Sequence, residues 1–506
     1  MTEIEQQKRI ANYLAAFAEV RDETALAWVD ISTGVFHVMP CPTVRLGPEL
    51  ARLAPREVIV SDTKEADFSE IVTESGASLT PLSGASFDST SAEKRLSSVF
   101  QVGTLSAFGT FGRAELAAMG AVVDYLDITQ KGKIPLLRPP VREIADGVMQ
   151  IDASTRRNLE LTRSLSGGRE GSLLNAIDRT VTAGGARLLE RRLSSPSRDL
   201  SAIHGRLESI DFLVDDARLR NDLRDALRNV PDMDRALSRL SLDRGGPRDL
   251  ASIRDGMAQA AEIANTLSSH EAPQIISEAQ NALSGHDALA DLLDEALVAE
   301  PPYLSRDGGF IAPGFNEDLD ETRKLRDEGR GIVAGLQSDY STLTGITALK
   351  IKHNNVLGYF IETTATHAEK MLTQPLSDRF IHRQTTANAV RFTTLELSEL
   401  ETRILNAGGR ALEIEKRIYA MLSATVLQHS EALGNMSSAL AEFDVATALA
   451  DLAIGEDWCR PMVDDGRAFD VTAGRHPVVE RALRRQSGAA FIANDCDLSA
   501  NEGAAI

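Results

Sequence analysis

Cysteine and aromatic side chains are scarce in this chain, with three Cys, two Trp and an aromatic content of 5% in 506 residues. Cys41, Cys459 and Cys496 are odd in number and far apart, with no Cys-x-x-Cys spacing, so neither a disulfide framework nor a zinc site is implied and ordinary reduced thiols are expected. No run approaches the ~20 consecutive apolar residues of a spanning helix. The opening MTEIEQQKRIANYLAAF lacks the apolar stretch and small-residue cleavage site of a secretory signal, so a cytoplasmic location is expected. Positive charge is also short: 54 Lys and Arg against 74 Asp and Glu leave a net −20. That balance excludes a surface covered in phosphate-neutralising cations.

What is present is a long, helix-forming chain. At roughly 100–200 residues per domain, its length predicts three or four domains. A hydrophobic content of 43% and a charged content of 25% fit a globular protein rich in helix. Charge is unevenly placed. Residues 345–395 hold six Lys and Arg (Lys350, Lys352, Lys370, Arg379, Arg383, Arg391) against Glu362, Glu369 and Asp378, a local +3 that leaves −23 for the rest. His353, His367 and His382 lie in the same window.

Along the chain, residues 25–39 (ALAWVDISTGVFHVM) carry a β-hairpin signal, and the helical pattern from Glu49 to Leu53 with the apolar run Glu57 to Val60 completes an α/β reading of the first 135 residues. A helix at about 113–128 precedes the cluster Gly132, Pro135, Pro139 and Pro140, which marks a boundary. Helical periodicity follows in Ile203, Leu207, Ile210 and Leu213, and again in Leu219, Leu223 and Leu227. Gly245-Gly246-Pro247 stops one helix and starts the next. An amphipathic stripe from Leu319 to Leu343 leads into LKIKHNNVLGYFIETT, a β-hairpin turning at Asn354, Asn355 and Gly358, and then RFIHRQTTANAVRFTT, a second β-rich segment. Helices at about 395–426, with Gly408 and Gly409 weakening the middle, and at about 430–454 come next. Two long helices thus flank a β-rich insertion and are expected to hold it out like arms. Residues 458–506 read as strands and loops around Phe469–Val471 and Phe491–Ile492.

Three segments carry a resemblance. DASTRRNLELTRSL (152–165), GYFIETT with FIHRQTTANAVRF, and GRHPVVE (474–480) followed by FIANDCDLS (491–499) are similar, in order and spacing, to MutS-type DNA mismatch-repair proteins. The resemblance implies a multidomain, mainly α protein. Its parts are a ribonuclease-H-like α/β connector (1–135), a helical core and lever (136–334), a β-rich clamp (335–395), returning lever helices (396–456) and the first strands of an α/β ATPase domain (457–506). It implies ATP-dependent recognition of mismatched duplex DNA with Mg²⁺, a homodimer, and a MutL-like partner on the connector.

The phosphate loop G-x-x-x-x-G-K-[ST], whose amides and Lys cradle phosphates, is absent: the one Gly-Lys is Gly132-Lys133, followed by Ile134. The chain is therefore expected to stop short of that loop and to be inactive as an ATPase by itself, with no cofactor of its own. The mismatch-reading Gly-x-Phe-Tyr-Glu motif is also absent. Phe17 and Glu19 keep its spacing within an alanine-rich stretch read as helical, and are taken as a core Phe beside a surface Glu.

DNA contact is placed on Lys350, Lys352, Arg383, Asn388 and Arg391, because Lys and Arg neutralise phosphates and Asn positions them without reading sequence. Asn388 and Arg391 follow from the resemblance, and Ala387 departs from the Lys often found there. The bland alternative is a solvated hairpin face. Phe491 and Ile492 match positions that pack on adenine, against which stands an ordinary strand core; His476 is read as structural. Asp30 on the first strand suggests a metal-dependent nuclease, but Glu57, Asp62 and Glu65 show no converging spacing. A helical interaction protein without DNA function is the remaining alternative.

Overall fold

The computed structural model describes residues 9–144, 147–354, 357–486 and 490–498. The first eight residues, Asn355 of the expected hairpin turn, Ser499 and the terminal Gly-Ala-Ala-Ile lie outside the described residues. Two compact units form: Met1–Gly245 with Ser252–Asp291 and Thr425–Ile506, and Gly246–Ala251 with Leu292–Ala424. Helices dominate, and no helix among the described residues is long and apolar enough to cross a membrane.

The first unit opens with β1 (Tyr13–Val20), β2 (Glu23–Asp30), β3 (Phe36–Pro40), α1 (Thr43–Leu53), β4 (Glu57–Ser61), α2 (Glu65–Glu74), β5 (Ser78–Leu82), α3 (Ser89–Val99), α4 (Arg113–Thr129) and β6 (Val141–Arg142). Its six strands make a mixed sheet in the order β5-β4-β1-β2-β3-β6, with β1, β2 and β3 antiparallel and β5, β4 and β1 parallel. The period-2 alternation of β1 splits its side chains between two cores. Leu14, Ala16 and Ala18 pack with Leu96 and Val122 on one face, whereas Ala15 and Phe17 pack with Leu50 and Phe68 on the other. The alanine-rich stretch around Phe17, expected as helix, is therefore a strand: pairing with β2 on one side and β4 on the other outweighs alanine's helix propensity.

Helices follow: α5 (Ala153–Asn158), α6 (Leu173–Ile177), α7 (Ala183–Ser194), α8 (Leu200–Asp215), α9 (Ala217–Arg228), α10 (Met233–Ser241), α11 (Pro247–Leu267), α12 (Gln274–Asn281) and α13 (Asp287–Ala296). Several start where a side-chain oxygen accepts an otherwise unpaired amide, as Thr182 does from Gly185 at 2.9 Å and Asp199 from Ser201 at 2.9 Å.

In the second unit, α14 (Glu317–Thr344) starts at the Asn316 cap and ends on left-handed Gly345. It leads to β7 (Lys350–Asn354), β8 (Gly358–Thr363), α15 (Ala365–Met371), β9 (Ile381–Thr385), β10 (Val390–Thr393) and α16 (Leu395–Gln428). Buried Glu415 of α16 accepts from the Gly309 amide at 2.7 Å and pairs with Arg323 of α14, joining the two long helices. Gly408 and Gly409 do not interrupt α16, whose buried face continues through Ala407, Ala411 and Ile414. Back in the first unit come α17 (Ser430–Glu456), β11 (Asp470–Gly474), α18 (Pro477–Arg485) and β12 (Asn494–Asp497). The expectation of strands and loops alone after residue 458 misses α18. His476 caps it by accepting from the Val479 amide at 3.4 Å, and Pro477 opens it.

Candidate nucleic-acid interface

The basic window folds into a four-stranded sheet, β7-β8-β10-β9, antiparallel throughout. One face is apolar. Ile351, Tyr359, Ile361, Val390 and Phe392 pack on Tyr340 and Met371 of the flanking helices. Alternation then turns the polar residues outward, and the register places Lys350, Glu362, Arg391 and Gln384 in one row across the strands.

Glu362 sits between two of the expected DNA-contacting cations. Lys352 Nζ donates to Glu362 Oε1 at 2.6 Å, and Arg391 Nε donates to Glu362 Oε2 at 3.1 Å. Arg391 also donates to Gln384 Oε1 at 2.8 Å, and its guanidinium lies 4.6 Å above the Phe360 ring. Phe360, 3% exposed, thus stays buried on the polar face under a cation. The Lys352 hydrogen bond, then that of Arg391, hold the Glu362 carboxyl below the usual range. The cluster is two positive charges on one negative, so only part of the +3 is free to meet an outside anion.

Lys350 and Arg383 differ. Lys350 is exposed at the start of β7 and, among the described residues, makes no ion pair. The ladder slips between Arg391, which faces Gln384, and Phe392, which faces His382, leaving Arg383 as an exposed bulge residue, again without an ion pair among the described residues. Asn388 is exposed in the turn from β9 to β10, which Thr386 closes by donating its amide to the Ala389 carbonyl at 2.8 Å. Two cations of the window point to other work: Lys370 donates to the Thr344 carbonyl at 2.6 Å, and Arg379 pairs with Glu396 at 2.7 Å. Sequence reasoning missed Glu362, Gln384 and Phe360. The hairpin offset was a signal that could have found the Lys350–Glu362 pairing, but the contribution of Arg391 required the order of the sheet.

The family model for MutS domain III matches residues 154–450, and the model for MutS domain II matches residues 12–138. The chain belongs to the MutS family. It is 66% identical over 500 residues to the DNA mismatch repair protein MutS of Cereibacter sphaeroides (strain ATCC 17025), covering 99% of this chain and 56% of that protein. It is 65% identical over 500 residues to the MutS of Paracoccus denitrificans, with 99% and 56% covered, and 65% identical over 503 residues to that of Ruegeria pomeroyi, with 99% and 57% covered. The chain spans little more than half the length of the curated MutS relatives it matches.

Phe17, Glu19, Asp30 and Glu57 have structural employment in this MutS chain. Phe17 is buried against Phe68, ring centroids 4.9 Å apart, and Glu19 pairs with Lys64 at 3.2 Å, so the core-Phe reading holds although the element is a strand. Asp30 lies at the end of the second strand, not the first. Its Oδ1 accepts the Ser32 amide at 2.9 Å and the Asn12 amide at 3.2 Å, organising the turn before β3. Glu57 accepts from Tyr125 at 2.6 Å, and among the described residues no group of three His, Cys, Asp or Glu could hold a metal ion. Phe491 and Ile492 precede β12 instead of forming a strand, and Ile492 is 80% exposed.

Proposed function

We propose that this chain supplies the connector, levers and clamp of a DNA mismatch repair protein, and that it grips duplex DNA by the phosphate backbone through the outward face of the β7-β8-β10-β9 sheet. The carrying observation is the pair Lys350 and Arg383, exposed and outside any ion pair among the described residues, on a sheet whose charge is opposite to that of the chain. Lys352 and Arg391 add a weaker, Glu362-buffered contribution, and Asn388 donates a positioning bond. Under this reading residues 1–135 form a ribonuclease-H-like connector that meets a MutL-like partner, 136–334 and 396–456 the core and levers, 335–395 the clamp, and 457–506 the opening of an ATPase domain. The whole protein would act as a homodimer in the cytoplasm.

ATP and Mg²⁺ belong to that whole protein. The residues at hand do not fit the group: Phe491 and Ile492 offer an apolar surface, His476 is spent on capping α18, and the sequence has no phosphate loop. No turnover is expected from this chain.

The test is duplex affinity against salt. Log K should fall by about 0.9 per log unit of salt for each phosphate neutralised, and Lys350→Ala with Arg383→Ala should weaken binding to all sequences alike and flatten the slope by up to about two units. With Phe17 buried and no Gly-x-Phe-Tyr-Glu motif in this sequence, homoduplex and G·T duplex should bind equally. Unchanged affinity and slope in the double variant would remove the sheet from the DNA contact.

A further inference from the structure

A cleft in the first unit contains a buried arginine that the DNA reading does not use. Arg156 of α5 is 8% exposed, and its Nε and Nη1 are buried with no hydrogen-bond partner among the described residues. The carboxylate whose charge acts on Arg156, buried Glu49, is engaged elsewhere: it accepts from Arg52 Nε at 2.6 Å. Burial, then the neighbouring Arg52 charge, push the Arg156 guanidinium below the usual arginine range. A guanidinium removed from water without a hydrogen-bonded counter-charge is costly, and a bidentate oxyanion is the partner that best matches its fork.

The cleft, about 780 Å³, lies between α1, the end of α2 and the segment 153–167. Arg157, Arg163, Ser75 and Ser164 line it together with Arg156, and Glu74 is the one acid among its described lining residues. Three guanidinium groups with hydroxyls suit a tetrahedral dianion better than a carboxylate, which has fewer acceptor positions. The volume exceeds a bare phosphate and leaves room for an organic part beside Ile71 and Pro48. A duplex backbone is a poor occupant, because the anchoring guanidinium is sunk within the wall.

We propose that this cleft binds the phosphate group of a small phosphorylated molecule, with Arg156 as buried anchor and Arg157 and Arg163 at its rim. Calorimetric titration of the full chain with pyrophosphate and inorganic phosphate, at fixed ionic strength and beside an acetate control, is the test. Pyrophosphate should bind and raise the Tm, acetate should do neither, and Arg156→Met should weaken pyrophosphate at least about tenfold. Because a buried substitution can compromise folding, Arg157→Ala with Arg163→Ala, both exposed in the wild type, provides a second variant that should bind several-fold more weakly. No heat and no Tm shift with millimolar pyrophosphate, an equal response to acetate, or unchanged affinity in either folded variant would overturn the proposal. Displacement of bound pyrophosphate by a duplex oligonucleotide would overturn the small-ligand assignment in favour of nucleic acid.

Discussion

Two carboxylates, one in each unit, show how burial changes what a charge can do. In the first unit Asp444 of α17 is 0% exposed and accepts from the Val181 amide at 2.9 Å, the Thr182 amide at 2.7 Å and the Thr182 hydroxyl at 2.6 Å. A Cβ on Gly185 would overlap that carboxylate, so the helix α7 approaches α17 only because residue 185 is glycine. In the second unit Glu362 has two donors, and they are the side-chain ends of Lys352 and Arg391 on the outward sheet face. The first arrangement fixes backbone. The second sets how much positive charge faces outward, and water screens it.

The largest expected effect tests the buried side of this contrast. Asp444→Ala leaves two amides and a hydroxyl buried without acceptors and should cost about 3–5 kcal/mol. Both tryptophans, Trp28 and Trp458, belong to the first unit, so urea unfolding followed by tryptophan fluorescence reports on it. A loss below about 1 kcal/mol would mean that water or a rearranged α7 satisfies the donors.

Next in size is a pH effect from a buried group that stays neutral. His37 stacks on Trp28 with centroids 5.3 Å apart, and burial, assisted by Arg191 and Arg52, pushes its imidazole down to about 3. The Glu143 carboxylate lies 3.4 Å from Nδ1, but a ring kept neutral by burial does not form an ion pair with it. The unfolded imidazole takes its proton near its ordinary value of about 6.5 while the folded one does not, so the unfolded state binds more protons between about 6.5 and 3. Stability should therefore fall with pH across that window, by at most about 1.4 kcal/mol per pH unit from this residue. His37→Phe keeps a stacking ring without a titrating nitrogen. Urea midpoints at pH 7 and pH 5 should lie closer together in the variant, and an unchanged gap would assign the acid sensitivity to other groups.

The smallest effect concerns the exposed side and should be opposite in sign to that of the Lys350 and Arg383 substitutions. Glu362→Gln releases Lys352 and Arg391, so duplex binding should tighten by a few-fold with a steeper salt slope. Stability should change by less than about 1 kcal/mol, because the Lys352 end of the cluster is exposed and an amide oxygen still accepts a hydrogen bond. Weaker binding instead would show that Glu362 positions the cations for phosphate, making the open pair as geometrically demanding as the buried one.

Several elements were legible before any coordinates. The hairpin around Gly358, the helix running through Gly408 and Gly409, and the free state of Cys41, Cys459 and Cys496 follow from local patterns that the structure reproduces. The failures share a cause. Alanine favours helix in isolation, yet the stretch around Phe17 lies between two strands and becomes a strand. Residues 477–485, expected among strands and loops, form a helix that Pro477 opens, since proline is favoured at the first helical turn.

The sequence by itself determined the periodicities, the turns, the family and the location of the basic window at 345–395, because each depends on residue identity at short range. It also supplied the cations whose contact with DNA is proposed. Only the tertiary structure decided which of them are neutralised within the fold. Lys352 and Arg391 meet one acid because β8 lies between β7 and β10, Lys370 is drawn to the end of α14, and a one-residue slip leaves Arg383 in the open. Strand order and burial are long-range properties: they depend on which segments pair across the chain, and a count of charges along it carries no record of that pairing.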